Sequence, residues 1–374
     1  MLAFSEYFHE NVFNYLPITF TFKVSTNPRY FRLNLLKELE PFLTLHSSFE
    51  ANRDKVLQFY SSIKIQERSE RAVVQDLVRI QDQGKKRKKV KKKDALKGFP
   101  YKRVTEYSKY KIPLCHFVGH NIWVLKPTSL NRGRGIHMFQ TIEDLNKLIT
   151  NCMQRDPNRK SLSFVIQKYI EEPLLINERK FDIRMWMLVT HEMNFYLFKE
   201  GYLRTSSKKY VIDVENIDNK FVHLTNNAVQ IHDQDYGKYE DGNQMSFNKF
   251  QKYLNKHYPH VSIDKDILPK IKNIIRKTIL AVKKKLNAEN RKYCFEIFGY
   301  DFILDADFNV WLIEVNTNPC LEESSALLTS LLNRMLDNAF RLTVDIIFPP
   351  MSQYMQCTRK VYPVEGYSND INLW

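Results

Sequence analysis

Beyond residue 99, short apolar runs alternate with stretches of helical period, the pattern of an α/β or α+β core. The strand candidates are residues 122–126, 164–169, 181–190, 194–199, 300–304 and 310–315. Residues 142–153 and 267–286 repeat apolar positions at the spacing of a helix. Leu327, Leu328, Leu331, Leu332, Met335 and Leu336 do the same, with Ser324 or Ser325 placed to cap the start. Nearer the N-terminus, residues 18–22 alternate and predict another strand, while 33–45 and 48–83 predict helices. Pro349-Pro350 is expected to end the folded part, leaving 351–374 as a polar, loosely held tail. No internal repeat is present.

The most informative stretch is 298–316. Two apolar strands flank a turn-forming segment, which predicts a β-hairpin. Pairing Asp305 with Val310 across a four-residue loop sets Asp301 opposite Glu314. Period-two alternation then puts Asn316 on the face of Glu314. Two carboxylates and an amide oxygen converge. Like charges set opposite one another weaken a strand pair, and here Phe302, Ile303, Trp311, Leu312, Ile313 and Val315 surround them. A hard divalent cation would remove the conflict, and Mg²⁺ is commonly held by one or two carboxylates plus substrate phosphates. The other reading of an Asp/Glu pair is a solvated sheet face; the apolar neighbours weigh against it.

Cationic groups supply the complement. Lys126 ends a strand, and Arg132, Gly133, Arg134, Gly135 and Ile136 follow in a glycine-punctuated loop. Glycines let backbone N–H groups approach a phosphate. The loop lacks the GxxxxGK[ST] pattern of a P-loop, and an RNA-contacting turn would look the same. In the next polar strand Lys180, Asp182 and Arg184 share one face, with Phe181 and Ile183 on the other. Charges this near a core are paired with one another or bind something charged; a structural Lys–Asp–Arg network and a ligand site both fit. Arg204 suits bidentate carboxylate binding. Thr225 and Asn226 offer neutral hydrogen-bonding groups. Gln167, Lys168, Tyr169 and Ile170 end a strand as a hinge suited to an adenine edge.

The net charge of +15 favours an acidic partner: nucleic acid, anionic membrane or acidic peptide. Residues 85–93 carry eight positive charges in nine positions, which predicts a mobile loop and a tether for an acidic tail. Absence of any RNP, KH or zinc pattern argues against a nucleic-acid binder. The five cysteines are scattered, which predicts reduced thiols in an intracellular protein. No secretory signal is visible, and no apolar run approaches the ~20 residues of a membrane span. No Ser–His or Cys–His nucleophile arrangement stands out.

Taken in order, KPxxxxRGxGI from Lys126, QKYI from Gln167, KFDIR from Lys180, YLR from Tyr202, HLTN from His223, FGxDF from Phe298 and WLIEVN from Trp311 resemble the tubulin–tyrosine ligase-like family. The resemblance runs from about residue 121 to 350. It implies an ATP-grasp fold of α+β class: a reduced N-terminal region (1–82), the basic loop (83–98), a central lobe (99–212), a C-terminal lobe (213–350) and the tail (351–374), with ATP between the two lobes. By the same resemblance Lys126, Arg132, Lys180 and Arg184 would contact ATP phosphates, and Gln167, Lys168, Tyr169 and Ile170 would hold adenine. Asp182 would contact ribose or substrates. Asp301, Glu314 and Asn316 would ligate Mg²⁺, and Arg204, near Thr225 and Asn226, would bind the incoming amino acid. The implied reaction joins a free amino acid (tyrosine, glutamate or glycine) to a carboxylate of an acidic tubulin tail through an acyl phosphate. Residues 236–245 resemble the tyrosine ligase more than its glutamylase relatives, whereas 316–322 depart from it. The implied setting is cytoplasmic and cytoskeletal, at microtubules, cilium or basal body. The reduced first lobe leaves a catalytically weak, microtubule-binding member as the alternative.

Overall fold

In the computed structural model the described residues are 12–25, 116, 119–128, 130, 132–155, 161–213 and 216–348. The helices expected at 33–45 and 48–83, the basic run and the tail lie outside them. The chain forms two compact units, one from Met1–Val24, Ile112–Phe139 and Asn158–Trp374, the other from Ser25–Lys111 and Gln140–Pro157. In the second, helix α1 (Ile142–Arg155) starts with Glu143 and Asp144 in its first turn, where acidic groups complement the helix dipole. Thr141 Oγ1 accepts the Asp144 N–H at 3.1 Å and caps it.

The first unit holds two antiparallel sheets. The four-stranded sheet runs in the order β1-β4-β2-β3, from β1 (Thr19–Ser25), β2 (Trp123–Pro127), β3 (His137–Phe139) and β4 (Ser161–Lys168). The larger sheet contains β5 (Leu175–Ile176), β6 (Arg179–Thr190), β7 (Phe195–Leu197), β8 (Tyr202–Lys209), β9 (Gln244–Ser246), β10 (Phe295–Leu304) and β11 (Val310–Asn316). Its main path is β11-β10-β6-β8-β9, with β5 and β7 also paired to β6. Strands from both sides of residue 212 thus share one sheet. Two short helices, α2 (Lys220–His223) and α3 (Asn227–Gln230), follow β8.

Strand β6 is buried along all twelve residues, and its alternation organises the unit. Phe181, Ile183, Met185, Met187 and Val189 face a core shared with Leu203, Phe298, Tyr300, Phe302, Leu304 and Leu312. Helices α4 (Phe247–His257) and α5 (Leu268–Val282) cover that face, through Phe250 and Leu254 on one and Ile271, Ile274, Ile275 and Ile279 on the other. On the opposite face, Trp186, Phe198 and Tyr202 pack under Leu328, Leu331, Leu332 and Met335 of α6 (Ala326–Thr343). Ser325 is the N-cap of α6, accepting the Leu328 N–H at 3.1 Å. The expected helix over 267–286 is shorter, ending before the three consecutive lysines Lys283 to Lys285. Helix α4 escaped sequence reading, although Ser246 caps it and Phe247, Phe250 and Leu254 recur on one side.

The 298–316 hairpin forms with a different turn from the one expected. Leu304, not Asp305, pairs with Val310, so the connection is 305–309. The Asp305 carboxylate closes that loop. It accepts from the Asp307 and Asn309 N–H groups at 3.0 and 2.8 Å, and from Trp311 Nε1 at 2.9 Å. A short polar side chain that satisfies backbone donors in this way favours a turn over a ladder position. The slip alone would set Asp301 against Ile313. A bulge between Asp301 and Phe302 absorbs Ile313 and returns Glu314 to the place opposite Asp301. Among the described residues no helix is long and apolar enough to cross a membrane.

Candidate active site

Beyond Trp186 the α6 side of the large sheet turns polar. Cross-strand register writes two rows of charge there. Glu314 lies opposite Asp301, which lies opposite Arg184. One step along, Asp182 faces Arg204, which faces Gln244. The side chains bond as the register requires. Arg184 Nε donates to Asp301 Oδ1 at 2.5 Å and Arg204 donates two bonds of 2.7 Å to Asp182. Arg204 also reaches Asp301 Oδ2 at 2.9 Å, joining the rows. Thr225 Oγ1 donates to Asp182 Oδ2 at 2.5 Å. Asn316 Nδ2 lies 3.3 Å from Asp301 Oδ2 and 3.2 Å from Glu314 Oε1.

The two carboxylates of the hairpin differ in electrostatic state. Burial pushes Asp301 up, but Arg184 and Arg204 outweigh it and hold the carboxyl well below the usual range. Glu314 is raised, first by loss of solvation and next by the neighbouring Asp301 charge. Its side chain is nonetheless solvent-accessible. The like-charge conflict is therefore met on the Asp301 side by two guanidiniums, a compensation that hairpin register alone did not show. Among the described residues no three His, Cys, Asp or Glu side chains group as a metal site; the expected set is two carboxylates and an amide.

Two lysines border these rows, Lys126 from β2 and Lys180 from β6. Lys126 Nζ donates to Gln167 Oε1 at 2.7 Å. Its pKa is lowered by burial, against the raising effect of Glu314 and Asp301. Gln167 Nε2 in turn donates to the Ile313 carbonyl at 3.3 Å, tying β4 to the bulge of β11. Lys180 Nζ donates to Tyr169 OH and to the His223 carbonyl, both at 2.8 Å, and lies 4.2 Å from the Tyr169 ring centre. Burial lowers its pKa to about 7; Asp182 opposes this and Lys126 adds to it. His223, bonded to Tyr169 OH through Nδ1 at 3.0 Å, is lowered to about 4 by burial and by Lys180, and is neutral at pH 7.

The glycine-punctuated loop has the backbone its residues allow. Gly133 and Gly135 have φ of 75° and 70°, and a side chain at Gly133 would stand 2.7 Å from Val229 Cγ2. Asn226 Oδ1 is the next side-chain atom met there, so the loop lies against the start of α3. Arg132 is exposed and Ile136 half-buried beside Ile122, Val124 and Tyr169.

Of the sequence candidates, Lys126, Gln167, Tyr169, Lys180, Asp182, Arg184, Arg204, Thr225, Asp301, Glu314 and Asn316 are linked by these contacts. Arg132, Ile136 and Asn226, in or against the glycine-punctuated loop, make none of these bonds, and two further side chains point elsewhere. Lys168 turns away to Glu171 at 2.5 Å, because successive strand residues point to opposite faces. Ile170 packs with Ile303 and Trp311. Sequence reading did not single out Gln230, which is fully buried. It accepts the Ser207 N–H at 2.8 Å and donates to the Phe221 and Leu224 carbonyls, joining β8 to α2 and α3. Gln244 lines a crevice with Arg204, Thr225 and Asn227. Gln244 lies in the 236–245 stretch, which stands out only by its resemblance, and Gln230 lies in no motif, so no local signal marks its role.

A model of the tubulin-tyrosine ligase family matches residues 36–353. Tubulin glycylase 3B of Tetrahymena thermophila is 36% identical over 241 residues, 64% of this chain and 19% of that protein. Protein monoglycylase TTLL8 of Homo sapiens is 34% identical over 231 residues, 60% of this chain and 26% of that protein. The probable alpha-tubulin polyglutamylase Ttll1 of T. thermophila is 31% identical over 226 residues, 59% of this chain and 54% of that protein. The chain thus spans between about a fifth and about half of the length of these relatives. With the family match covering most of its residues and the motif side chains linked on one sheet face, the chain belongs to the tubulin-tyrosine ligase family.

Proposed function

We propose that this chain is an ATP-dependent ligase that forms an amide bond between an amino acid, glycine first, and a carboxylate of an acidic tubulin tail. The observation that carries this is the cationic array around Asp301 and Glu314. Lys126, Arg184 and Arg204 are held by strand register, with Lys180 on the same strand as Arg184, around a hairpin on which Asp301 is buried and Glu314 is solvent-accessible. Fixed cations aligned before the reactants arrive lower the cost of developing phosphoryl charge. ATP, with Mg²⁺ neutralising its phosphates, supplies the activation of the acceptor carboxylate. Lys126 and Lys180 would bind and orient the phosphates, and an anion there would restore the protonated state that burial disfavours in Lys180. Gln167 and the 167–170 backbone would orient the base.

The donor set fits Mg²⁺. Glu314 is exposed and raised by its neighbour, a state that a hard cation relieves. Flipping the Asn316 amide would turn its oxygen toward the same space. Arg204, beside the crevice lined by Thr225 and Gln244, would hold the amino-acid carboxylate. The ATP-grasp reading and its two lobes follow from the same assignment, with the nucleotide between the four-stranded and seven-stranded sheets. Glycine leads because relatives named glycylases are 33–37% identical, against 31% for the polyglutamylase. The setting that follows is cytoplasmic and cytoskeletal.

The test is incorporation of labelled glycine, glutamate or tyrosine, each alone, into tubulin with ATP and Mg²⁺. Glycine incorporation that drops at least ~100-fold in Glu314→Gln is expected. Incorporation of none of the three by folded protein would refute the reading in favour of a binding-only member; incorporation of glutamate would correct the amino acid.

A further inference from the structure

The back of the large sheet has a chemistry that the site does not use. Residues 247–296 hold thirteen Lys and Arg against four Asp and Glu. Together with the run at 85–93 these exceed the whole net charge of +15, so the rest of the chain is slightly acidic. Twelve of the thirteen are exposed; Lys277 is buried and bonds Tyr15 OH at 2.9 Å. Arg291 pairs with Glu289, and Lys270 donates to the Phe308 carbonyl. Among the described residues Lys249, Lys252 and Lys256 on α4, and Lys272 and Arg276 on α5, have no acidic partner.

These positions are spaced three and four apart, so they form rows of like charge along each helix, an unfavourable arrangement for an isolated helix. Phe250 and Leu254 on α4, and Ile271, Ile274, Ile275 and Ile279 on α5, point the other way, into one shared core. Tyr253 OH bonds the Leu175 carbonyl on the β6 side of the sheet, and Thr278 Oγ1 lies 3.0 Å from Tyr300 OH on β10. The two helices therefore cover the sheet between them, over strands spanning about 20 Å. Lys180, Asp182 and Arg184 are on the other face.

We infer that the α4–α5 layer is a docking surface for an acidic folded protein, which under the ligase reading is the tubulin body and not its tail. Eleven of the thirteen cations are lysines. Lysine is a flexible point charge without the planar fork that arginine uses for bidentate recognition, which suits a surface of scattered charges. Helix α5 has no aromatic residue, and on α4 Phe247 and Phe250 are buried while Tyr253 is half-buried with its hydroxyl tied to the Leu175 carbonyl, unlike the stacking platform of a single-strand binder. Docking at the back leaves the front open. A flexible tail of ten residues reaches about 33 Å, enough to round the sheet edge.

The test uses the full chain and microtubules whose acidic tails have been removed by protease. Wild type is expected to co-sediment with them, with affinity falling about tenfold from low to physiological salt. Lys249→Glu/Lys252→Glu/Lys256→Glu and Lys272→Glu/Arg276→Glu are each expected to weaken binding about tenfold or more, with ligation to a free tail peptide unchanged. Glutamine versions, expected to lose less, replace any glutamate version whose thermal midpoint drops. Wild-type binding that needs the tails, or variants that bind as wild type does, would overturn the inference. So would tighter binding of wild type to duplex DNA or phosphatidylserine vesicles at equal salt. If wild type ligates nothing yet shows this binding pattern, the ligase reading falls and the docking surface stands.

Discussion

Two buried lysines in this protein have opposite surroundings. Lys168, at the end of β4, is 1% exposed and meets Glu171 Oε1 at 2.5 Å and the Ile122 carbonyl at 3.1 Å. Glu171 is itself completed by the Ile122 and His120 N–H groups. Lys180, in β6, is 4% exposed and has only neutral acceptors, Tyr169 OH and the His223 carbonyl. Asp182, the carboxylate whose charge acts on it, is already held bidentately by Arg204 and by Thr225. Lys168, turned away from the site and paired with its own carboxylate, is a closed pair and belongs to the fold. Lys180, without one, is left half-titrated near pH 7, the state of a buried cation to which an anionic ligand would supply the counter-charge.

The largest effect that would break this contrast is on stability at Lys168. Lys168→Met leaves Glu171 buried without its cation, which costs about 3–5 kcal/mol. Adding Glu171→Leu is expected to recover much of that, since removing both partners of a buried pair is far cheaper than removing one. Denaturant midpoints of the two variants decide it. A single-variant cost below about 1 kcal/mol would mean that Lys168 is not a closed pair.

Lys180→Met should do the reverse. It loses two hydrogen bonds to neutral acceptors, about 1 kcal/mol each, but removes a charge that burial disfavours, so stability at pH 7 stays within about 1 kcal/mol of wild type. Ligation should fall by about 10²–10³-fold, the range for losing one preorganised donor to developing charge. Matched thermal midpoints with full activity would strip Lys180 of its assigned role.

The two lysines also show how far sequence reading reaches. Alternation in β6 was readable, so Lys180, Asp182 and Arg184 were expected on one face and lie there. Alternation in β4 held equally, yet Gln167 and Lys168 were grouped as one hinge, although only one of two successive strand residues can face the site. Glu171 sits three residues from Lys168 beyond the strand end, where no periodicity predicts a contact. The hairpin shows a different limit. Asp301 does oppose Glu314, but by a slip and a bulge that cancel. The apolar run Trp311-Leu-Ile313 tolerates either register, so the bulge left no trace in the pattern. Arg184 and Arg204 as partners of Asp301 depend on strand order β10-β6-β8, which only the fold supplies.

The smallest effect is the sharpest in sign. Free Lys180 has a pKa of about 7, and a bound phosphate anion would raise it, since an opposite charge favours the protonated form. Nucleotide affinity from this group is then fully present below pH 7 and falls by up to about tenfold per unit as pH rises above it. At pH 8, binding should take up nearly one proton. Calorimetry in two buffers of different ionisation enthalpy reads that uptake, and Lys180→Met should abolish it. The ligand-free protein responds in the opposite direction. Its folded lysine is depressed from 10.5 to about 7, so between those values the unfolded chain holds the extra proton and stability from this group rises with pH. Wild type and Lys180→Met should therefore diverge in stability slope across that window, and Lys168→Met/Glu171→Leu should keep the wild-type slope. Equal slopes for wild type and Lys180→Met, with no proton uptake on binding, would show that Lys180 carries no open charge and would dissolve the contrast between the two lysines.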